Sequence, residues 1–437
     1  MANSFFPSIQ GIFLADFHIH SHFSRATSPD MHPAIINRFA KQKGLSVVGT
    51  GDFTHPGYLE ELRKELEPDE DTGLYVCKDD PEGTKFILTS EVSNIFTQGG
   101  KSRRIHTVFF SPDFQVVEEI QNRVGSIGNI SSDGRPILGF PVKDLVRIIM
   151  EVSSDCFVLP AHIWTPWFSL FGAKSGFDTL EECFEEQSNH IYALETGLSS
   201  DPQMNWRLSA LDQYTLLSNS DAHSPSKLAR EANVFSCKLT YEAITGAIKD
   251  PDSGFEGTIE FFPEEGKYHY DGHRACNICM KPQETIDHRG KCPVCGQDLT
   301  VGVLHRIEEL SDRNEGFIPK TAKPCVHLVP LEEIIAEAFG VRTITSRVKK
   351  EYQRLIQHGE SEMNILLWKS EKELQYFVPD RIREGILRMR KGDLKINPGY
   401  DGLYGKINIF SKKEREELQA SRAKACSREK ALQMDLF

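Results

Sequence analysis

The 437-residue chain has no apolar stretch near the roughly 20 residues that cross a bilayer, so no membrane-spanning segment is expected. Its start, Met1-Ala-Asn-Ser-Phe-Phe6, lacks the basic segment of a signal peptide. Its ten cysteines do not form the even spacing of a secreted disulfide framework: four fall in two tight pairs and six are scattered. A reducing cytoplasm is the expected setting. Positive charge is also short. The net charge of −12 argues against wholesale coating of nucleic acid, although a local basic groove is compatible with it. No internal repeat, heptad or large apolar surface stripe stands out, so a monomer is expected. What is present is ordinary for a globular protein: 39% hydrophobic and 26% charged residues, enough for two or three domains.

The chain is organised around Asp16-Phe-His18-Ile-His20-Ser-His22, which follows the apolar run Ile12–Ala15. Such a run reads as a buried strand. Strand alternation then puts Asp16, His18, His20 and His22 on one face. Four such groups at the end of a buried strand suit a divalent metal, whose ligands are neutral imidazoles and carboxylates. A polar strand end facing water is the bland alternative, and the rest of the chain argues against it. Pro33–Lys43 has helical spacing and stops at Gly44. Leu45–Thr50 reads as a strand delivering Gly51-Asp52-Phe53-Thr54-His55, and Tyr58–Leu66 as a helix. Strands are expected at Phe86–Ser90 ending in Glu91, at Ile105–Phe110 carrying His106, and at Cys156–Leu159 before Pro160-Ala-His162. Two more are expected at Ile191–Leu194 ending in Glu195 and at Tyr214–Leu217 ending in Ser220-Asp221-Ala-His223.

Strand, ligand and helix alternate over more than two hundred residues, which predicts an α/β fold built as a β/α barrel. Parallel barrels carry their chemistry at the C-terminal strand ends, where this sequence puts His, Asp and Glu. The candidate metal ligands are His18, His20, Glu91, His106, His162, Glu195, Asp221 and His223, with Asp52, His55 and His22 as further candidates. One ion needs four to six ligands. Two or three adjacent ions, zinc, manganese or magnesium, would use them all and suit phosphoryl transfer.

Downstream, Cys276-Asn-Ile-Cys279 and Cys292-Pro-Val-Cys295-Gly296 are separated by twelve residues. Two Cys-x-x-Cys turns this close read as a structural zinc site of four thiolates, with His273 and His288 spare. A redox dithiol explains one pair but not two. Beyond Pro330 the chain turns helical, with Leu331–Phe339, Ile344–His358 and Pro379–Arg390 as helices. Basic side chains there (Arg347, Lys349, Lys350, Arg354, Arg388, Arg390, Lys391) suit either DNA phosphates or solvated faces. Trp164, Trp167 and Phe168, next to His162, suit either base stacking or packing.

These motifs resemble those of the PHP (polymerase and histidinol phosphatase) superfamily over roughly the first 240–270 residues. The resemblance implies a distorted β/α barrel whose metal cluster hydrolyses phosphoesters. It implies that His18, His20, Glu91 and Asp221 hold one ion and Glu91, His106 and His162 a second. A third would rest on His223 with His55 or Asp52. Two departures weaken that third site: the usual Thr-Asp-His reads Gly51-Asp52-Phe53, and Arg25 and Ala26 stand near where a further His is usual.

Nearly the whole chain is similar to the endonuclease Q family, through the barrel motifs, the cysteine pairs, Leu299–Arg313 and Pro398-Gly-Tyr-Asp-Gly402-Leu-Tyr-Gly405. That similarity implies a repair endonuclease cutting DNA 5′ to uracil, hypoxanthine, xanthine and abasic sites, with Asp221, Glu91 and His223 in the catalytic centre. The pentapeptide Gln433-Met434-Asp435-Leu436-Phe437 resembles the motif by which bacterial replication and repair proteins dock on the DNA sliding clamp. It implies a bacterial member working at the nucleoid. The expected division is a barrel over residues 1–268, a zinc module over 269–304, a helical DNA-binding region over 305–410 and a charged tail over 411–437. A small-molecule phosphomonoesterase, a non-catalytic clamp-bound scaffold and an abasic or mismatch nuclease of other preference are the rival readings.

Overall fold

The structure, a computed structural model, describes residues 11–418. The described chain forms two compact units. One runs to His327 and includes Pro398–Gly405; the other holds Leu328–Asn397 and the described residues from Lys406 on. The cysteine segment belongs to the first unit, so the boundary expected after residue 304 falls after His327 instead. The tail beyond Leu418, with the pentapeptide Gln433–Phe437, lies outside the described residues. Among the described residues, no helix is long and apolar enough to cross a membrane.

The first unit is a distorted β/α barrel. Its strands are β1 (Phe13–Asp16), β2 (Val47–Gly49), β3 (Leu66–Asp69), β4 (Leu74–Cys77), β5 (Lys85–Gln98), β6 (Lys101–Ser111), β7 (Ile137–Leu138) and β8 (Phe157–Pro160). They continue with β9 (Ala193–Glu195), β10 (Thr215–Leu217), β11 (Ala232–Phe235) and β12 (Phe255–Glu260). Two-residue alternation of apolar side chains drives the roll: Phe13, Ala15, Phe17, Ile87, Val108, Phe110 and Phe235 share one buried core. The helix Pro33–Lys43 starts on its proline and ends where Gly44 turns left-handed (φ 96°).

Parallel pairing holds between β1 and β2, β2 and β5, and β9 and β10. The barrel departs from simple alternation elsewhere. β5 and β6 form one long antiparallel hairpin, and β6 runs antiparallel to β8 and β1 to β11. Gly99 and Gly100, both at positive φ (60° and 73°), make the two-residue turn that this hairpin requires. Glu91 and His106 therefore sit within paired strands and not at strand ends.

The strand β15 (Cys325–His327) pairs with β12 and closes that edge. Before it come β13 (Asp271–His273) and β14 (Ile278–Met280), a short hairpin that carries the first cysteine turn.

The second unit is helical: Leu331–Phe339, Ser346–Gly359, Glu371–Phe377 and Asp380–Lys391. Ile334, Val348, Leu355 and Ile386 are fully buried among them. Gly385 is required, because a Cβ there would come within 2.8 Å of the Ile334 side chain. Several of the basic side chains that suited either DNA phosphates or solvated faces are structural. Arg390 donates to the carbonyls of Ile365, Leu366 and Lys369, Arg354 pairs with Glu351 and Arg388 with Glu384 and Glu414. Arg347 lies over the Phe339 ring; Lys349, Lys350 and Lys391 are exposed.

Candidate metal centre

The chain leaves β1 with Asp16 turned away from the histidines. Asp16 accepts the amide N–H groups of Ser220 and Ala229, both at 3.0 Å. Burial pushes its carboxyl up to about 6, against those hydrogen bonds. Its role is to anchor the segment that presents Asp221. His22 also leaves the expected face, pairing with Glu61 at 3.2 Å and with the Met31 carbonyl.

His18 and His20 are 1% and 0% exposed. Each has its δ nitrogen held by a carboxylate. His18 Nδ1 lies 3.0 Å from both oxygens of Glu195, and His20 Nδ1 lies 3.0 Å from Asp52 Oδ1. Their ε nitrogens converge on Asp221 Oδ1, at 3.8 and 3.2 Å, and on Glu91 Oε2, at 3.4 and 3.2 Å. A carboxylate behind each imidazole is the arrangement that fixes the tautomer of a metal-ligating histidine.

Glu91 reaches two ways. Its other oxygen, Oε1, lies 2.7 Å from His106 Nδ1 and 3.2 Å from His162 Nε2. The β5–β6 register places Ser93 opposite His106 and Glu91 opposite Val108, so Glu91 and His106 are diagonal neighbours on one face. His162 is held in a left-handed conformation (φ 29°), with its amide donating to Glu195 Oε2 at 2.7 Å. Gly197 makes room for it: a Cβ there would meet His162 Cβ at 2.5 Å. Asp221 is also left-handed (φ 47°). Non-glycine residues in that region persist where their surroundings hold them, and they cluster at functional sites.

Two trios result, His18–His20–Asp221 and Glu91–His106–His162, each with its donor atoms within 4.8 Å of one another. The donors fit divalent cations. His18 Nε2, His20 Nε2 and Asp221 Oδ1 are buried and have no hydrogen-bond partner, and an orphaned polar atom costs free energy in a core. Burial works against charge on Glu91, yet His106, Arg135 and His18 hold its carboxyl well below the ordinary range. Burial brings His106 down to about 4, against the pull of Glu91.

The remaining candidates are placed otherwise. Glu195 grips His18, the His162 amide and Asn219 Nδ2 (2.8 Å), so it orients ligands. Asp52 accepts from the Ser21 amide (2.6 Å) and from the hydroxyls of Ser21 and Ser24 (2.7 and 2.8 Å) while holding His20. His55 turns to the Ser131 carbonyl at 3.1 Å and packs on Phe23. Neither Asp52 nor His55 joins a trio. His223 stands beside the first trio, its ring centroid 4.5 Å from that of His20 and its Nδ1 3.5 Å from Asp221 Oδ1. The donor set expected for a third ion is not assembled among the described residues.

Arg135 was not anticipated. It lies on an irregular loop with no flanking motif, yet its Nη1 is 3.0 Å from Glu91 Oε2 and its side chain is 30% exposed. Trp164 is core, 1% exposed, donating to Asn205 Oδ1 at 2.7 Å. Phe168 packs on His106, and Trp167 is exposed beside Arg104.

In the cysteine segment, the convergent group is His273, Cys276, Cys292 and Cys295. Cys279, expected as a ligand, is not in it, and His273, expected as spare, is. The backbone gives the reason. Asn277 follows Cys276 in a left-handed conformation (φ 54°), as Gly296 follows Cys295 (φ 75°). The two turns that match are therefore His273-x-x-Cys276-Asn277 and Cys292-x-x-Cys295-Gly296. Cys279 sits beyond the turn on β14, opposite Gly272. A set of one imidazole and three thiolates still suits zinc.

Comparison with known proteins follows the same division of the chain. A family model described as the MJ0043 C-terminal domain matches residues 330–393. The chain is 33% identical over 272 residues to the uncharacterized protein MJ0043 of Methanocaldococcus jannaschii, covering 60% of this chain and 33% of that one. The chain thus spans about a third of the length of that relative. It is 30% identical over 382 residues to the uncharacterized protein YqxK of Bacillus subtilis, covering 85% and 91%. Among solved structures it is similar to the lesion-specific endonuclease PfuEndoQ of Pyrococcus furiosus, with TM-score 0.81, 34% identity and 91% and 95% of the two chains covered. It is equally similar to endonuclease Q in complex with a 27-mer duplex bearing an abasic lesion at the active site, with TM-score 0.80, 35% identity and 92% and 97% covered.

Proposed function

The chain belongs to the endonuclease Q family, and from that premise we propose that it is a metal-dependent DNA repair endonuclease. It hydrolyses the phosphodiester 5′ to uracil, hypoxanthine, xanthine or an abasic site and leaves a 3′-hydroxyl and a 5′-phosphate. One observation carries the reading: two ligand trios joined by one buried carboxylate, in a chain similar along most of its length to lesion-specific endonucleases.

His18, His20 and Asp221 would hold one divalent ion, and Glu91, His106 and His162 a second. The donor set accepts zinc, manganese or magnesium. When bound, such ions make a water acidic enough to attack at neutral pH and offset the phosphate charge. Glu195 and Asp52 keep the δ nitrogens of His18 and His20 engaged, which leaves the ε nitrogens for ligation. His223 lines the edge of the first trio, and Arg135, partly exposed beside Glu91, adds a cation for the phosphate. The damaged nucleotide is turned out of the duplex, at least cost where its base is mispaired. A structural zinc would be held by His273, Cys276, Cys292 and Cys295. The segment Gln433–Phe437 docks the enzyme on the sliding clamp, which places its work on nucleoid DNA in the cytoplasm.

The test is a nicking assay on an end-labelled duplex with one deoxyuridine or deoxyinosine, in Mg²⁺ or Mn²⁺. A single cut 5′ of the lesion is expected, absent from undamaged DNA and from Asp221→Ala. Turnover of small phosphomonoesters with no nicking in any metal would refute it. Clamp docking predicts co-elution with the clamp that Leu436→Ala and Phe437→Ala remove.

A further inference from the structure

A further set of metal-ligating side chains lies outside the barrel trios and the cysteine turns. A solvent-open groove of about 550 Å³ is lined by His22, His32, Glu60, Glu61, Lys64 and Glu65. His22, expected among the barrel ligands, is fixed here from one side. A carbonyl oxygen only accepts, so His22 Nδ1, 3.1 Å from the Met31 carbonyl oxygen, carries the hydrogen and donates. Nε2 then presents its lone pair to Glu61 Oε2 at 3.2 Å. Two acceptors that close need a positive centre: a proton on Nε2 or a cation bound by both. The same arrangement marks His18 and His20, whose δ nitrogens are held while their ε nitrogens face carboxylates. The separation also fits an ion, since bonds of ~2.0–2.1 Å put two tetrahedral ligands about 3.3 Å apart.

A third donor stands nearby. His32 is the N-cap of the helix Pro33–Lys43, yet its side chain makes no capping hydrogen bond. Among the described residues its ring has no hydrogen-bond partner. Its centroid is 6.5 Å from that of His22, with the two planes at 86°. No hydrogen bond holds the His32 side chain, so a turn of it brings a nitrogen to an ion bound by His22 and Glu61. Burial raises the Glu61 carboxyl, His22 draws it down, Glu65 raises it and His32 lowers it, so both imidazoles act on the same carboxylate. Glu65 has another task. Its Oε2 accepts the Ala34 amide at 3.3 Å, which ties the first turn of that helix to the end of the helix Pro56–Glu65. Lys64 is the one ammonium lining the groove, against three carboxylates, so the groove favours a cation.

We propose that His22, His32 and Glu61 form a separate divalent-cation site of zinc type, with water completing the shell. Two imidazoles and one carboxylate, with a position left open, are a set that zinc accepts. The groove opens to solvent, so its ion exchanges with the medium, whereas the barrel trios are largely buried. The three ligands come from three segments: the loop after β1, the start of the helix Pro33–Lys43 and the helix Pro56–Glu65. An ion there cross-links the segment that carries His20 to the helix that follows Asp52, the carboxylate that holds His20. Zinc in the groove therefore stabilises the folded protein, whatever the protein cuts.

The test counts zinc. Full-length wild type, His22→Ala, His32→Ala and Glu61→Gln are dialysed to equilibrium against buffered free Zn²⁺, and bound zinc per chain is measured by elemental analysis. Each is also melted with and without zinc. Zinc at the other sites is common to all four proteins and cancels. Wild type is expected to hold one zinc more than His22→Ala and Glu61→Gln. His32→Ala is expected to bind that zinc more weakly by at least the roughly tenfold of a lost supporting partner. The zinc-dependent rise in melting temperature should shrink in all three variants. Glu61→Gln keeps the size of a part-exposed side chain, so it carries the test even if His22→Ala fails to fold. Equal zinc counts in wild type and Glu61→Gln overturn the site and leave a His22–Glu61 ion pair in its place. Zinc held as tightly by His32→Ala as by wild type overturns the three-ligand assignment.

Discussion

In the barrel, each imidazole of the first trio is buried with a carboxylate behind it, and Asp221 is oriented through the segment that Asp16 anchors. In the cysteine turns, Cys295 is exposed, its Sγ is 3.4 Å from His273 Nδ1, and among the described residues no carboxylate pairs with that imidazole. The barrel trios are placed by paired strands around an extensive buried core. The cysteine turns have little core of their own, so a cation there contributes directly to folding. Two sets of ligand side chains on one chain thus serve opposite ends: one is organised by the fold, the other organises it.

The sharpest way to break this comparison is Asp221→Ala. Removing a side chain of the trio itself is expected to reduce nicking by more than the roughly 10–100-fold typical of a supporting partner, with the melting temperature little changed. A large loss of stability instead would place the trio among structural elements. Glu195→Gln comes next. It keeps the size and removes the charge that holds His18, so activity and metal affinity should fall by about 10–100-fold together; recovery of rate at high metal concentration separates this from loss of folding.

At the cysteine turns the expected signature is inverted. His273→Ala should release the thiolate-bound ion to a mild chelator and expose residues 269–304 to protease, while Cys279→Ser keeps the ion. Cobalt substitution reads the ligand set directly, and a four-thiolate spectrum lost in Cys279→Ser would reverse the assignment of His273.

The smallest effect concerns the carboxyls packed behind the centre. Burial pushes Glu260 up to about 7 from its ordinary 4.5. Because the folded value is the higher one, its contribution to stability is full below about pH 4.5 and is lost as pH rises through 7. At most about 3 kcal/mol is involved. Glu260→Gln should therefore flatten the fall in urea midpoint between pH 5.5 and 8; an unchanged slope would assign the fall to other groups.

The sequence made much of the centre legible because its ligands lie in short motifs at the ends of apolar runs. His18, His20, His162 and Asp221 are of this kind. Glu91 was legible as a residue but not in its setting: the polar stretch Thr97–Arg104 hides a hairpin that continues beyond the core. Glu195 and Asp52 could not be told from ligands, since a carboxylate that ligates and one that holds a ligand look alike in sequence. Arg135 carried no signal, because a loop residue's position depends on long-range closure. The Cys-x-x-Cys spacing pointed to Cys279, whereas left-handed Asn277 shifts the turn by one ligand towards His273. Among the basic residues, Arg390 and Arg388 were spent on carbonyls and carboxylates that only the folded unit brings near.

Glu91 extends one oxygen to each trio. If both trios hold ions, a shared ligand would make the halves interdependent, because an ion on one side would fix the carboxylate for the other. The enzyme's response to free divalent ion should accordingly be a threshold, with a titration steeper than that of a single site.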